Sequence, residues 1–138
     1  MMKDRRNNNP VSFFEQLVAR LVEKFLPKNN FIVFGPGELT KLWEEIEAME
    51  PKMAVIEADK VVDVVLKRAG VPGETMAERL RKVQKQVQRP IYSGMWEAHK
   101  MRNRLVHEVG HNNGLGNYHD LLWKMKKFLI SLGAFKNE

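Results

Sequence analysis

This chain of 138 residues is predicted to be all-α, an antiparallel up-and-down four-helix bundle with an additional N-terminal amphipathic helix. Apolar residues recur at intervals of three and four along most of the sequence, which is the spacing of one helix face. Segments rich in glycine and proline separate these stretches, and such short connections favour antiparallel packing of neighbouring helices. We find no internal repeat and no segment with the apolar and polar alternation that is typical of a strand.

The first 37 residues are predicted to hold a polar tail, one helix and a connector. Residues 1–10 are basic, rich in asparagine and without periodicity, so we expect a disordered tail. Residues 11–37 then form an amphipathic helix over 11–26 and an apolar connector that ends in a glycine-proline turn. We expect the apolar face of this helix to dock on the bundle or on a second copy. Contact with a membrane surface is the alternative, because the helix also carries basic side chains.

Four helices are predicted in the bundle, which spans residues 38–138. Their predicted bounds are Glu38–Ala69, Glu74–Val87, Ile91–Val109 and Tyr118–Leu132, with glycine or proline after each. Pro51 falls inside the first of these helices. This helix therefore either breaks near Met49 and restarts with the proline in its first turn, or it is kinked there.

The composition limits the classes of function. The chain has no cysteine, which excludes disulfides, thiolate nucleophiles and cysteine-based zinc sites, and favours a reducing compartment. No apolar run approaches the roughly 18 residues that a membrane-spanning helix needs, and the N-terminus lacks the apolar stretch of a signal peptide. We therefore expect a cytoplasmic protein.

The net charge of +6 is unevenly distributed along the chain. Residues 71–112 contain eight basic and four acidic side chains. Five of the basic residues follow one another with no acidic residue between them: Arg79, Arg81, Lys82, Lys85 and Arg89. Such a segment can neutralise the phosphates of RNA, and we expect it to bind RNA. The alternative is a basic helix face that is simply solvated.

The predicted helix 91–109 contains a basic residue where an apolar one is expected. On a helical wheel, Arg102 lies within the apolar arc of this helix. A guanidinium cannot remain unpaired in an apolar interior, so we expect a carboxylate partner. Asp59 is the first choice because it lies at the edge of the apolar stripe of its own helix, and Glu57, nearer the polar side, is the second.

Beside Arg102 on the wheel lie four side chains suited to chemistry: His99, Asn103, Trp96 and His107. Imidazole transfers protons near neutral pH and arginine can hold a scissile phosphate, which are the groups that a metal-independent ribonuclease needs. The alternative is a structural role for these residues. An ion pair between Arg102 and a carboxylate would then lock the bundle, and His107 would cap the helix end, where the helix dipole favours a positive charge. The two histidines are eight residues apart and have no carboxylate at helical spacing, so we expect no metal ion and no other cofactor.

The stretch Arg102–His107, with the sequence Arg-Asn-Arg-Leu-Val-His, resembles the Arg-polar-x-x-x-His signature of the HEPN superfamily of helical domains. The order of predicted elements is similar as well. Residues 53–73 and 96–100 also resemble a small bacterial HEPN-like group. The resemblance covers about residues 38–135.

This resemblance implies a metal-independent endoribonuclease, toxin-like or active in stress, that dimerises so that the motifs of two protomers face one cleft. His107 would then act as general acid or base at the RNA 2′-hydroxyl or the leaving oxygen. Arg102 would bind the phosphate and Asn103 would orient both. The resemblance also implies a homodimer and a protein partner such as an antitoxin. Some HEPN-like domains are not nucleases, so the alternative is a non-catalytic module for dimerisation and for binding RNA, nucleotide or protein.

Overall fold

The computed structural model describes residues 13–18, 30–107 and 115–138, and within these ranges it contains helices and no strand. Residues 13–18 are helical. The helices that follow are α1 (Glu38–Glu47), α2 (Pro51–Arg68), α3 (Met76–Lys82), α4 (Arg89–His107) and α5 (Tyr118–Leu132). The 3₁₀ turns Gln84–Gln86 and Leu115–Asn117 precede α4 and α5. The all-α prediction is thus confirmed for this part of the chain.

Pro51 begins a new helix and does not bend a continuous one. It occupies the first turn of α2, where a backbone N–H would have no partner in the helix. The Glu50 side chain caps this end, since its Oε1 accepts a hydrogen bond from the backbone N–H of Met53 at 2.7 Å. Of the two predicted alternatives, the break near Met49 is therefore confirmed.

The predicted helix Glu74–Val87 is wrong in its extent. α3 begins only at Met76, because the Thr75 hydroxyl caps it by accepting from the backbone N–H of Glu78 at 3.2 Å. Val83 then leaves the helical conformation and is fully buried. Its packing in the core replaces the last turns of the predicted helix by a 3₁₀ turn.

α4 begins two residues earlier than predicted, at Arg89, with Pro90 in its first turn. A proline that we expected to end one helix instead starts the next, for the same reason as at α2. α5 has the predicted bounds, and Gly133 ends it with a φ of +87°, a conformation that favours glycine.

Three predicted features lie partly or wholly outside the described residues. They are the tail at 1–10, most of the amphipathic helix over 11–26, and the loop after α4. Within the helical residues 13–18, Phe13 and Phe14 are 69% and 64% exposed, so this apolar face is not packed on α1–α5. None of the described helices has both the length and the apolar character that crossing a membrane requires.

α2 lies at the centre of the packing and contacts each of the other four helices, while α4 also packs along α5. The largest fully buried side chains come from all five helices and include Trp43, Leu66, Leu80, Met95, Leu105, Met125 and Phe128. Because α2 and α4 pack directly together, polar residues on their facing sides are brought into contact inside the protein. The candidate site lies at this contact.

Candidate functional site

Asp59 of α2 and three side chains of α4 form a closed group of polar contacts, here called the polar ring: Asp59, His99, Arg102 and Asn103. Asp59 Oδ1 lies 2.9 Å from His99 Nδ1, and its Oδ2 lies 3.5 Å from Arg102 Nε. Arg102 Nη1 donates to Asn103 Oδ1 at 3.0 Å. Asn103 Nδ2 lies 3.5 Å from His99 Nε2, which closes the ring.

The polar ring has one consistent pattern of donors and acceptors. A carboxylate only accepts, so the imidazole of His99 donates from Nδ1 to Asp59. Nε2 then accepts from the amide NH₂ of Asn103, and the amide oxygen is left to accept from Arg102. Each side chain of the ring is therefore held by two others.

Burial differs sharply around the polar ring. Asp59 is 2% exposed and His99 is 7% exposed, whereas the Arg102 side chain is 30% exposed. Buried polar groups need such partners, because they have lost their contacts with water. The predicted pair of Arg102 and Asp59 is present, at an ion-pair distance. Glu57 is not the partner: it contacts Lys60 at 3.1 Å on the surface, since it lies on the outer side of α2.

His107 lies at the C-terminal end of α4 with an exposed side chain, outside the polar ring. It follows Arg102 by five residues, which turns it about 140° around the helix and moves it about 7.5 Å along the axis. Asn103 is one turn before it, on the same edge. The structure thus brings Arg102 and Asn103 together, while His107 stands apart from Arg102.

A groove of about 520 Å³ runs along the first half of α4 and is here called the α4 groove. Its lining consists of Gln84, Arg89, Tyr92, Ser93, Trp96, Glu97 and Lys100. The Trp96 ring packs edge to face with Tyr92 at 6.3 Å and with His99 at 5.9 Å, measured between centroids. Trp96 therefore connects the α4 groove to the polar ring.

The sequence pattern predicted functional roles for Trp96 and Arg89 of this groove but not for Tyr92 and Lys100. The spacing of 92, 96 and 100 would have placed both beside Trp96, since residues four apart share a helix face. Tyr92 was not predicted because it lies one turn before Trp96, the first residue of the predicted group. Lys100 was not predicted because a single lysine on a helix carries no specific signal.

Arg79 does not belong to an RNA-binding surface, which corrects the expectation for this residue. It is 5% exposed, because it lies on the buried side of α3 next to Leu80. Its Nε and Nη2 donate to the two carboxylate oxygens of Asp63 at 2.8 and 3.1 Å, and Nη1 donates to the carbonyl of Gly73. Burial alone would raise the pKa of Asp63, but hydrogen bonds from Arg79 and Lys67 outweigh it and lower that pKa below the ordinary 3.8. Arg79 thus attaches α3 to α2.

The other basic residues predicted to bind RNA are exposed: Arg81, Lys82, Lys85 and Arg89. Arg81 lies over the Trp96 ring, with its guanidinium carbon 5.8 Å from the centroid. Among the described residues, no carboxylate pairs with any of these four side chains. Their charges remain available to an anion.

The parts of the chain that the structure describes contain no group of three histidine, aspartate or glutamate side chains that could hold a metal ion. In comparisons with known proteins, no protein-family model matches the chain. No curated protein and no solved structure is significantly similar to it either.

Proposed function

We propose that the protein is a metal-independent endoribonuclease of HEPN type, which cleaves RNA at a composite site formed by two protomers. The observation that carries this proposal is the arrangement of α4. The Arg102 side chain is still 30% exposed although its guanidinium contacts Asp59 and Asn103, and the exposed imidazole of His107 lies one turn beyond Asn103. An oriented cation and an accessible imidazole are the two groups that phosphodiester cleavage needs.

The reaction follows from these groups. The imidazole of one His107 removes the proton of the RNA 2′-hydroxyl, and the 2′-oxygen attacks the adjacent phosphorus. The bond from phosphorus to the 5′-oxygen breaks, and the imidazolium of the second His107 donates a proton to the leaving oxygen. The products are a 2′,3′-cyclic phosphate and a 5′-hydroxyl. Arg102 stabilises the charge that develops on the phosphate oxygens.

A second copy of the chain is part of the proposal because Arg102 and His107 diverge by about 140° around one helix. Within a single chain they would not reach the same phosphate. Two α4 helices that face each other would place Arg102 of one protomer opposite His107 of its partner. Val106, which is 47% exposed, offers an apolar contact for that interface.

We further propose an antiparallel up-and-down four-helix bundle, made of α1, α2, α4 and α5. The bundle predicted from the sequence counted α1 and α2 as one helix and included α3. Support comes from the packing of α2 on each of the other three and of α4 along α5. We also propose that the protein is located in the cytoplasm. RNA substrates and a protein partner such as an antitoxin would be encountered there.

A second candidate function is a non-catalytic module that dimerises and binds RNA, nucleotide or protein. The observation in its favour is that Arg102 already has partners, since Nε faces Asp59 and Nη1 donates to Asn103. An arginine used in this way is less available to a phosphate. The exposed cations of the basic segment would then serve binding alone.

Incubation of the purified protein with RNA of mixed sequence in EDTA separates the two functions. The endoribonuclease produces fragments with 2′,3′-cyclic phosphate ends and leaves DNA of the same sequence intact, because DNA lacks the 2′-hydroxyl. RNA that stays intact with and without Mg²⁺, while the protein is folded and dimeric, contradicts cleavage and leaves the binding module.

A further inference from the structure

The α4 groove combines aromatic and basic side chains in a regular order. We propose that it binds a single-stranded segment of RNA, with an unpaired base stacked at Trp96 and the neighbouring phosphates on Arg89 and Lys100. The inference rests on the proposed function only in taking RNA as the polymer. Binding in the groove does not require that the RNA be cleaved.

Successive turns of α4 carry the four groups on which this proposal depends. Arg89, Tyr92, Trp96 and Lys100 follow at offsets of three, four and four, so they lie along one edge of the helix. The edge is about 16 Å long from the first residue to the last. Two aromatic rings thus lie between two cations, which matches a strand whose bases stack in the middle and whose phosphates flank them.

The charge of the α4 groove favours an anion. Arg89 and Lys100 are exposed and have no carboxylate partner among the described residues. Glu97 is the only carboxylate in the lining, and its Oε2 lies 2.7 Å from Nζ of Lys124. Lys124 also contacts Asp120 at 2.8 Å, and the hydrogen bonds to Asp120 and Glu97 raise the pKa of Lys124, so its charge offsets part of the negative charge of Glu97.

Trp96 is held in a fixed orientation that suits a base. Tyr92 and His99 pack edge to face against it, at interplanar angles of 77° and 75°. The Arg81 guanidinium lies over the Trp96 ring and adds a second flat group, which is positively charged. Bases of single-stranded RNA stack on such aromatic and guanidinium planes, whereas the bases of a duplex are already stacked on one another.

The same edge of α4 continues through Asn103 to His107, so a strand bound in the groove is directed toward the imidazole. Trp96 and His107 are eleven residues apart, which is about 16 Å along the helix. A base stacked at Trp96 would therefore fix the distance to the bond that is cleaved. In the proposed enzyme, this groove determines which part of the substrate reaches the site.

The test uses binding of a fluorescent 2′-O-methyl RNA oligonucleotide, which cannot be cleaved because its 2′-oxygen is blocked. Anisotropy should show that Trp96→Leu weakens binding by roughly 5- to 150-fold, the contribution of stacking one base. Lys100→Gln should lower the slope of log K against log salt by about 0.7. The matched controls Trp123→Leu and Lys127→Gln change an exposed and a half-buried residue of α5 outside the groove, and both variants should bind as the wild type does.

Fluorescence gives a second readout that does not depend on the Trp96→Leu variant being folded. The variant Trp123→Phe retains two tryptophans, Trp43 and Trp96. Since Trp43 is only 1% exposed, a change in fluorescence when the oligonucleotide binds would come from Trp96. Quenching by the oligonucleotide supports the proposal. Unchanged fluorescence at saturating oligonucleotide, equal binding by folded Trp96→Leu and Trp123→Leu, or equal affinity for duplex and single strand overturns it.

The two proposals fail separately in these experiments. Binding that depends on Trp96, together with unmodified RNA that stays intact, means that the endoribonuclease proposal is wrong and the groove proposal is right. If RNA is cleaved but neither binding nor cleavage depends on Trp96, the endoribonuclease proposal is right and the groove proposal is wrong.

Discussion

The carboxylate of Asp59 contacts two basic side chains of α4 at once, through Oδ1 to His99 Nδ1 at 2.9 Å and through Oδ2 to Arg102 Nε at 3.5 Å. Since Asp59 belongs to α2, this one buried carboxylate fixes how α2 and α4 meet. It also holds Arg102, the proposed phosphate ligand, in place.

Replacing Asp59 by alanine should lower the free energy of unfolding by about 3 kcal/mol. The change leaves the Nδ1 hydrogen of a buried imidazole without an acceptor and a half-buried guanidinium without its counter-charge. The control is Glu57→Ala, which removes only a surface pair with Lys60 and should cost less than about 1 kcal/mol. Urea unfolding measures both, and equal losses would show that the polar ring does not stabilise the fold.

The pair of Asp63 and Arg79 should make stability depend on acid pH. The folded protein lowers the pKa of Asp63 below 3.8, so its charged form stabilises the fold above the pKa of the unfolded chain, about 3.9. This contribution is lost as pH falls through the lowered pKa. Asp63→Asn should therefore have a lower free energy of unfolding than the wild type at pH 7. Urea unfolding should show that the difference between the two proteins narrows below about pH 4. A difference that is the same at pH 2 as at pH 7 would contradict this account.

Replacing His107 by alanine should reduce RNA cleavage by about 10²- to 10⁴-fold, the usual contribution of a general acid or base. Folding should be unaffected because the side chain is exposed at the end of α4. His119→Ala is the control, an exposed histidine on α5 that the proposed reaction does not use. Single-turnover rates with labelled RNA compare the two variants, and a similar loss in both would remove His107 from the mechanism.

Replacing Val106 by glutamate should convert the proposed dimer into a monomer, because it places a charge in the interface formed by two α4 helices. Light scattering at tens of micromolar protein measures the mass. Met53→Glu is the control, since Met53 on α2 is exposed to the same 47%. A wild-type protein that is monomeric at this concentration would contradict the composite site.

The sequence predicted the elements whose signals are local or periodic. The bounds of α5 followed from its apolar spacing and from Gly133, and the partner of Arg102 followed from a charge on an apolar arc. The burial of His99 could not be predicted, because a wheel places it on the flank of α4 without saying that α2 covers this flank. Arg79 was misplaced for a related reason: a helix as short as α3 has too few residues for periodicity to tell which basic side chain faces inward.

The attachment of α3 has a consequence for local unfolding. Seven residues are too few for a helix to be stable by itself, and α3 is held mainly through its packing on α2 and the contact of Arg79 with Asp63. Its amides should therefore exchange with deuterium through local opening, before those of the central α2. Each opening would also carry Arg81 away from Trp96. A ligand that binds the α4 groove only while α3 is folded and Arg81 lies over Trp96 would slow deuterium exchange in α3. The slowing would increase with the fraction of the protein that has ligand bound.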